Sequence, residues 1–204
     1  LIVYLPALAI IAVPFLLVMK QPDLGTALML LLGGLSVMFA AGLPWRYVGG
    51  ATILALGAMP LLWMTLHDYQ KSRVMTFLNP EADVLGAGYQ IIQSKIALGS
   101  GGLFGKGFLM GSQSQLDYLP EKQTDFVFTM IGEEFGLVGN LFILGLYLAL
   151  SLFILRISYL VRSRFSQLTC MGISMMLFFY VFVNVAMVSG LLPGGGGPLP
   201  LISY

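Results

Sequence analysis

The sequence predicts an all-α fold: a polytopic bundle of transmembrane helices interrupted by one large loop that carries short amphipathic helices. Three observations lead there. Of 204 residues, 58% are hydrophobic and only 9% are charged, and a water-exposed domain of this size cannot cover its surface with so few polar groups. Five apolar segments each come near the roughly 20 residues that cross a bilayer. Backbone in hydrocarbon must satisfy its own hydrogen bonds, so segments of this length cross as helices.

The first three spans are expected at Leu1–Met19, Leu24–Leu43 and Tyr47–Leu66. Gln21-Pro22-Asp23 breaks the first pair, and Gly42-Leu43-Pro44-Trp45-Arg46 breaks the second. Residues 67–124 form a large loop, and loops of that length are usually functional. Within it, His67–Asp83 is a polar stretch of mixed charge. Tyr89–Leu98 places apolar residues at 91, 92, 96 and 98, as in a short amphipathic helix at a membrane surface. Ser100–Gly107 (SGGLFGKG) is glycine-rich, and Gly111–Glu121 leads back to the membrane. The fourth span, roughly Asp125–Leu155, is long: about 46 Å at 1.5 Å per residue against a core of about 30 Å. The fifth is Ser166–Leu192. The expected organisation is thus 1–66, three helices; 67–124, a large periplasmic loop; 125–192, two helices; and 193–204, a periplasmic loop leading to a last helix not included. A start within an apolar run and a stop within a loop read as a fragment of a longer protein.

Arginines orient the spans. Arg46 lies between spans two and three, and Arg156, Arg162 and Arg164 lie between spans four and five. Alternation puts both groups on one side, which the positive-inside rule makes cytoplasmic. Lys20–Asp23, the large loop and Pro193–Tyr204 then face outward, into the periplasm if the membrane is a bacterial inner membrane.

The net charge of +1 offers nothing to nucleic acid. Cys170 stands alone, so no intrachain disulfide forms, and its apolar surroundings read as packing. His67 is the single histidine and, without His or Cys partners, makes no zinc site.

The chemistry concentrates in Leu116–Gly136, LDYLPEKQTDFVFTMIGEEFG. Asp125, Glu133 and Glu134 sit in or at the mouth of an apolar helix, where a carboxylate costs about 2.5–3.5 kcal/mol on insertion scales. Asp125, Thr129, Glu133, Gly136 and Asn140 fall on one helical stripe, expected to face the bundle interior. For Asp125 two roles stand side by side: a helix N-cap, or a partly desolvated general base. For Glu133 and Glu134 the alternatives are an internal ion pair that fixes packing and a site role. Lys71, Arg73, Lys95, Lys106 and Lys122 lie on the same side as Asp125. The glycines around Lys106 would let backbone N–H groups approach a phosphate, although this is no Walker motif. Asp23, beside Gln21 and Thr26, is either a helix start or part of the site. Asp68, Glu81, Asp83, Asp117 and Glu121 offer oxygen ligands for a hard divalent cation, Mg2+ or Mn2+, which the sequence allows and does not require.

QPDLGT (Gln21–Thr26), GAGYQIIQSKIALGSGGLFGKG (Gly86–Gly107), QSQLDYLPEKQTDFVF (Gln113–Phe128), GEEFGLVG (Gly132–Gly139) and PLPLISY (Pro198–Tyr204) together resemble the SEDS family. The QSQL-x-Y/F-LPE form is similar to its rod-elongation, RodA-like branch more than to the division branch. The resemblance runs over essentially the whole chain. It implies a ten-span fold, of which about five spans are present, and a peptidoglycan glycosyltransferase that polymerises lipid II on the periplasmic face. It puts the essential aspartate of the TDF motif at Asp125. Substrate-binding roles are expected for Asp23, Gln93, Lys95, Lys106 and Glu121. It further implies a class B penicillin-binding protein transpeptidase and the rod-shape elongation complex as partners. A lipid II flippase is the alternative function. The chain departs from the family pattern at Gln123, where relatives carry His, and at Pro193–Pro198 (PGGGGP), where they carry an apolar turn.

Overall fold

The computed structural model describes residues 4–21, 24–65, 68–80, 86–112, 124–192 and 197–203. Every regular element among them is helical. The α-helices are α1 (Leu5–Met19), α2 (Leu24–Ala40), α3 (Trp45–Thr65), α4 (Asp68–Leu78), α5 (Ala87–Gly101), α6 (Val127–Leu160) and α7 (Arg164–Val188). Among the described residues, α6 and α7 are long and apolar enough to cross a membrane, while α1 and α2 are equally apolar but shorter. The chain divides into two compact units.

The first unit comprises Leu1–Ser72 and Phe153–Met176. α1 and α2 approach closely because Gly34 carries no side chain: a Cβ there would press within 3.0 Å of Ile11. α2 stops at Gly42, whose φ of 105° only glycine adopts readily. The Gly42 and Leu43 amides turn back to the carbonyls of Phe39 (3.0 Å) and Met38 (3.1 Å), closing the helix end. Trp45, opening α3, packs edge-on against Phe39 at 4.9 Å, and Tyr4 Oη donates to the Gly42 carbonyl at 3.2 Å. α2 and the first half of α7 line an apolar recess that includes Gly33, Val37, Leu168 and Gly172.

The turn between α6 and α7 is tighter than expected. The sequence places the helix ends at Leu155 and Ser166, but the helices run to Leu160 and resume at Arg164. Arg156 is therefore helical. Hydropathy marks where hydrocarbon ends, whereas a helix ends where something breaks it, and no Gly or Pro lies between Leu155 and Ser166. Ser158 Oγ donates to the Gln167 carbonyl across the turn at 3.0 Å.

The second unit comprises Arg73–Leu152 and Leu177–Tyr204. Its core gathers Phe126, Phe128, Tyr147, Val181, Met187, Val188 and Leu199. The segment Gly197–Ser203 belongs to this core and is tied in by side chains: Tyr147 Oη donates to the Pro200 carbonyl, and Ser203 Oγ donates to that of Thr124 at 3.0 Å.

The large loop contains α4 and α5. His67–Asp83, the polar stretch of mixed charge, contains the 11-residue helix α4; no Gly or Pro interrupts 68–78, and Gln70, Lys71, Met75 and Leu78 favour helix. The amphipathic helix forms as α5, but its buried face is Ile91, Ser94 and Ala97, while Ile96 is 49% exposed. Ser94 occupies the buried face because its hydroxyl finds partners there.

Candidate functional site

The long fourth span is one assigned helix with a break inside it. At Gly136 the backbone takes φ 69°, ψ −163°, a region essentially reserved for glycine. In an unbroken helix, the amides of Leu137 and Val138 would bond the carbonyls of Glu133 and Glu134. Here the glycine-rich segment after α5 is inserted between them. Leu137 N–H donates to the Gly102 carbonyl (2.9 Å) and Val138 N–H to that of Leu103 (3.1 Å). Lys106 N–H and Gly107 N–H donate to the carbonyls of Glu133 and Glu134, both at 3.0 Å. Two helical bonds are replaced by four bonds to the inserted segment, so irregular backbone in a spanning helix keeps its polar groups satisfied.

The glycines make this approach possible. A Cβ at Gly101 would fall on the Gly132 carbonyl, one at Gly105 on the Glu134 carbonyl, and one at Gly136 on the backbone of Leu103 and Gly105. The expectation that N–H groups around Lys106 approach a phosphate is therefore corrected: the Lys106 and Gly107 amides are spent on α6.

The same insertion brings Lys106 to Glu133. Lys106 Nζ lies 2.7 Å from Glu133 Oε1, and the Glu133 carboxylate is fully buried while the Lys106 side chain is 29% exposed. Ser112 Oγ accepts from Nζ at 3.0 Å and donates to the same carboxylate oxygen at 3.1 Å. Of the two expected roles for Glu133, the structure contains the internal ion pair. Glu134 is also buried. The expected stripe does face inward: Thr129, Glu133, Gly136 and Asn140 are all buried, and Asp125 is half-buried at its outer end.

Asp125 stands two residues ahead of α6. Its carbonyl accepts from Asn184 Nδ2 at 2.8 Å, and the same amide donates to the Gly197 carbonyl at 2.7 Å. Asn184 is fully buried. In the first turn of α6, Thr129 Oγ1 lies 2.8 Å from Ser94 Oγ of α5, and Ser94 Oγ donates to the Val188 carbonyl at 2.9 Å. Ser94 and Asn184 were not singled out from sequence. The one available signal was a polar residue in a position where helical periodicity demands burial.

Lys95 is exposed on α5. Its chain end lies over Gly190, where an added Cβ would meet the Lys95 side chain. Gln93 is half-buried on the same helix. Asp23 and Glu121 lie outside the described residues, as do His67, Glu81, Asp83, Asp117, Lys122 and Gln123, so the expected cation ligands fall mainly there. Among the described residues no cluster of three His, Cys, Asp or Glu side chains occurs.

Among the described residues every regular element is helical, two apolar helices are long enough to cross a membrane, and one of them breaks beside buried carboxylates. The profile of the FtsW/RodA/SpoVE family, described as cell cycle protein, matches residues 1–204. The chain belongs to this family, the SEDS proteins. It is 54% identical over 199 residues to the peptidoglycan glycosyltransferase MrdB of Escherichia coli K12, covering 97% of this chain and 54% of that protein. It is 40% identical over 201 residues to the probable peptidoglycan glycosyltransferase FtsW of Geobacter sulfurreducens, covering 98% and 53%. The chain thus spans about half the length of the curated relatives it matches. A solved structure described as structural coordination of polymerization and crosslinking by a peptidoglycan synthase complex aligns with a TM-score of 0.74 at 37% identity, covering 98% of this chain and 54% of that one. The crystal structure of an aspartate-to-alanine mutant of the Thermus thermophilus rod shape determining protein RodA aligns with a TM-score of 0.57 at 30% identity, covering 97% and 50%.

Proposed function

We propose that this chain is the catalytic half of a peptidoglycan glycosyltransferase that polymerises lipid II at the periplasmic face of the bacterial inner membrane during rod-shape elongation. The observation that carries it is Asp125: an acidic residue still partly accessible at the mouth of an apolar helix, with its main chain held by Asn184, in a chain 54% identical to a peptidoglycan glycosyltransferase.

The chemistry follows from one base and one charged leaving group. Asp125 takes the proton from the 4-hydroxyl of the acceptor N-acetylglucosamine. That oxygen forms a bond to the anomeric carbon of the donor N-acetylmuramic acid as the bond from that carbon to the pyrophosphate oxygen breaks. Undecaprenyl pyrophosphate carries away the electron pair, and the α-linked donor becomes a β-1,4 link by inversion. Pyrophosphate needs charge neutralisation more than a proton. Lys95, exposed on α5, supplies it. Lys106 commits two of its three N–H donors to Glu133 and Ser112 and offers the third. Gln93, Asp23 and Glu121 remain assigned to substrate. The partner is a class B penicillin-binding protein transpeptidase within the rod-shape complex, a reading supported by the similarity to a complex that coordinates polymerization with crosslinking.

The test is Asp125→Asn and Asp125→Ala in the full-length protein, assayed with labelled lipid II in detergent. General-base catalysis is worth about 100- to 10,000-fold, so polymer should fall by at least about 100-fold while thermal stability holds. Undiminished polymer would remove Asp125 from the reaction. Detergent also separates the flippase alternative, because without a membrane to cross, glycan polymer reports an enzyme.

A further inference from the structure

The segment 102–110 presents an apolar surface that the glycosyltransferase reading does not use. Leu103, Phe104, Phe108, Leu109 and Met110 are each 60–81% exposed. Its single charge points the other way, since Lys106 turns to Glu133 and Ser112. What remains outward is a cluster of large hydrophobic side chains rooted at Phe135 of α6, whose ring centroid lies 6.1 Å from that of Phe108. An exposed apolar patch of this kind marks a contact surface.

The four backbone bonds to α6 fix its depth. The segment is pinned to Glu133, Glu134, Leu137 and Val138. From Leu137 to Arg156 the helix advances about 28 Å at 1.5 Å per residue, close to the roughly 30 Å of a hydrocarbon core. Arg156 seeks one border of that core, so the pinned segment lies at the opposite border. There, aromatic and aliphatic side chains dip among acyl chains while the backbone stays at headgroup level. The outward residues continue directly onto Leu137, Val138 and Leu141, which are exposed apolar residues of the spanning helix itself.

We infer that residues 102–110 form an interfacial wedge that beds Leu103, Phe104, Phe108, Leu109 and Met110 into the acyl chains of the surrounding bilayer. The wedge anchors the break in α6 at a set depth. This holds whether or not Asp125 is the catalytic base, because it rests on backbone pairing and exposure alone.

The experiment uses the full-length protein in proteoliposomes, on a cysteine-free background that includes Cys170→Ser. A bimane fluorophore is placed at Phe104→Cys or Phe108→Cys, with Phe142→Cys on α6 and Arg162→Cys in the α6–α7 turn as references. Nitroxide-labelled phospholipid should quench both loop sites at least half as strongly as Phe142→Cys. Aqueous iodide should quench them at least fivefold less than Arg162→Cys. Iodide quenching equal to that at Arg162→Cys would place the loop in water and overturn the proposal. Absence of quenching by either agent would assign the surface to protein, the remainder of the chain or a partner, and would overturn it equally. Thermal unfolding of each labelled protein verifies that the fold is retained.

Discussion

Asn184 holds the main chain of Asp125. Its side-chain amide, fully buried on α7, places one N–H on the Asp125 carbonyl at 2.8 Å and the other on the Gly197 carbonyl at 2.7 Å. Ser203 reinforces the arrangement by donating to the Thr124 carbonyl, the residue before Asp125. The PLPLISY segment and α7 thus act together as a strap across the start of α6. This relates two of the sequence motifs: the TDF aspartate is positioned by the chain around Pro198–Ser203, although more than 70 residues separate them.

If Asp125 is the base, Asn184 sets its position without touching substrate. Asn184→Ala removes both donors and leaves two carbonyls without them, costing about 1–3 kcal/mol in stability. Displacement of a reacting group by about 1 Å can cost about 100-fold in rate. The expected outcome is a fall in kcat for lipid II polymerisation approaching that size, with KM little changed. Steady-state kinetics in detergent beside a melting curve decide it: a lowered Tm with unaltered kcat would make Asn184 a purely structural residue.

The Lys106–Glu133 pair should respond unequally to loss of either partner. Glu133 is fully buried, whereas Lys106 keeps 29% of its side chain in reach of solvent. Lys106→Met leaves the buried carboxylate without its cation, and breaking a buried pair from one side costs up to about 3–5 kcal/mol. Glu133→Gln keeps a hydrogen-bond acceptor beside an ammonium that can turn outward. Melting temperatures in detergent should therefore order as wild type, Glu133→Gln, then Lys106→Met, with the double variant Lys106→Met/Glu133→Leu recovering part of the loss. The reverse order of the single variants would refute the asymmetry.

Much of the fold was legible because hydrophobic length and Pro/Gly punctuation act locally. The five long helices overlap the expected apolar runs, although the α6–α7 turn lies at 161–163 with no breaker to mark it, and the residues of the stripe from Thr129 to Asn140 are buried. What was not legible depends on partners distant in sequence. SGGLFGKG has the composition of an anion-binding loop, and only the carbonyls of Glu133 and Glu134, nearly 30 residues on, show that its amides complete a broken helix. Ser94 looked like an ordinary polar position until Thr129 and Val188 supplied its bonds. The site was half legible for the same reason: a carboxylate in an apolar helix is visible in sequence, but the amide that holds its backbone is not.

The glycines at the break give a prediction of graded severity. Gly136 combines φ 69° with ψ −163°, where a non-glycine residue costs about 1–3 kcal/mol in backbone strain, and a Cβ would also meet Leu103 and Gly105. Gly136→Ala should lower yield and melting temperature sharply, and Gly105→Ala nearly as much. Gly99→Ala, where nothing lies within 4 Å of the added methyl, should be neutral or slightly stabilising through helix propensity. Equal melting temperatures for all three would mean that α6 does not break in the membrane-embedded protein.

Ser94 offers a test of the junction between α5, α6 and α7. Its hydroxyl has one proton, which goes to the Val188 carbonyl at 2.9 Å; the 2.8 Å contact with Thr129 must then have Thr129 as donor. Val188 ends α7, so its carbonyl is one of those a helix terminus leaves without an internal partner. Ser94→Ala leaves this carbonyl and the Thr129 hydroxyl buried without these bonds, at about 1–3 kcal/mol. Thr129→Val keeps the branched shape and removes only the donor. Once Ser94→Ala is present, Thr129→Val removes a buried hydroxyl that has lost its acceptor. The double variant should therefore be no less stable than Ser94→Ala alone, a non-additivity that a thermal double-mutant cycle in detergent would register. Strict additivity of the two losses would show that the Ser94–Thr129 contact carries no energy.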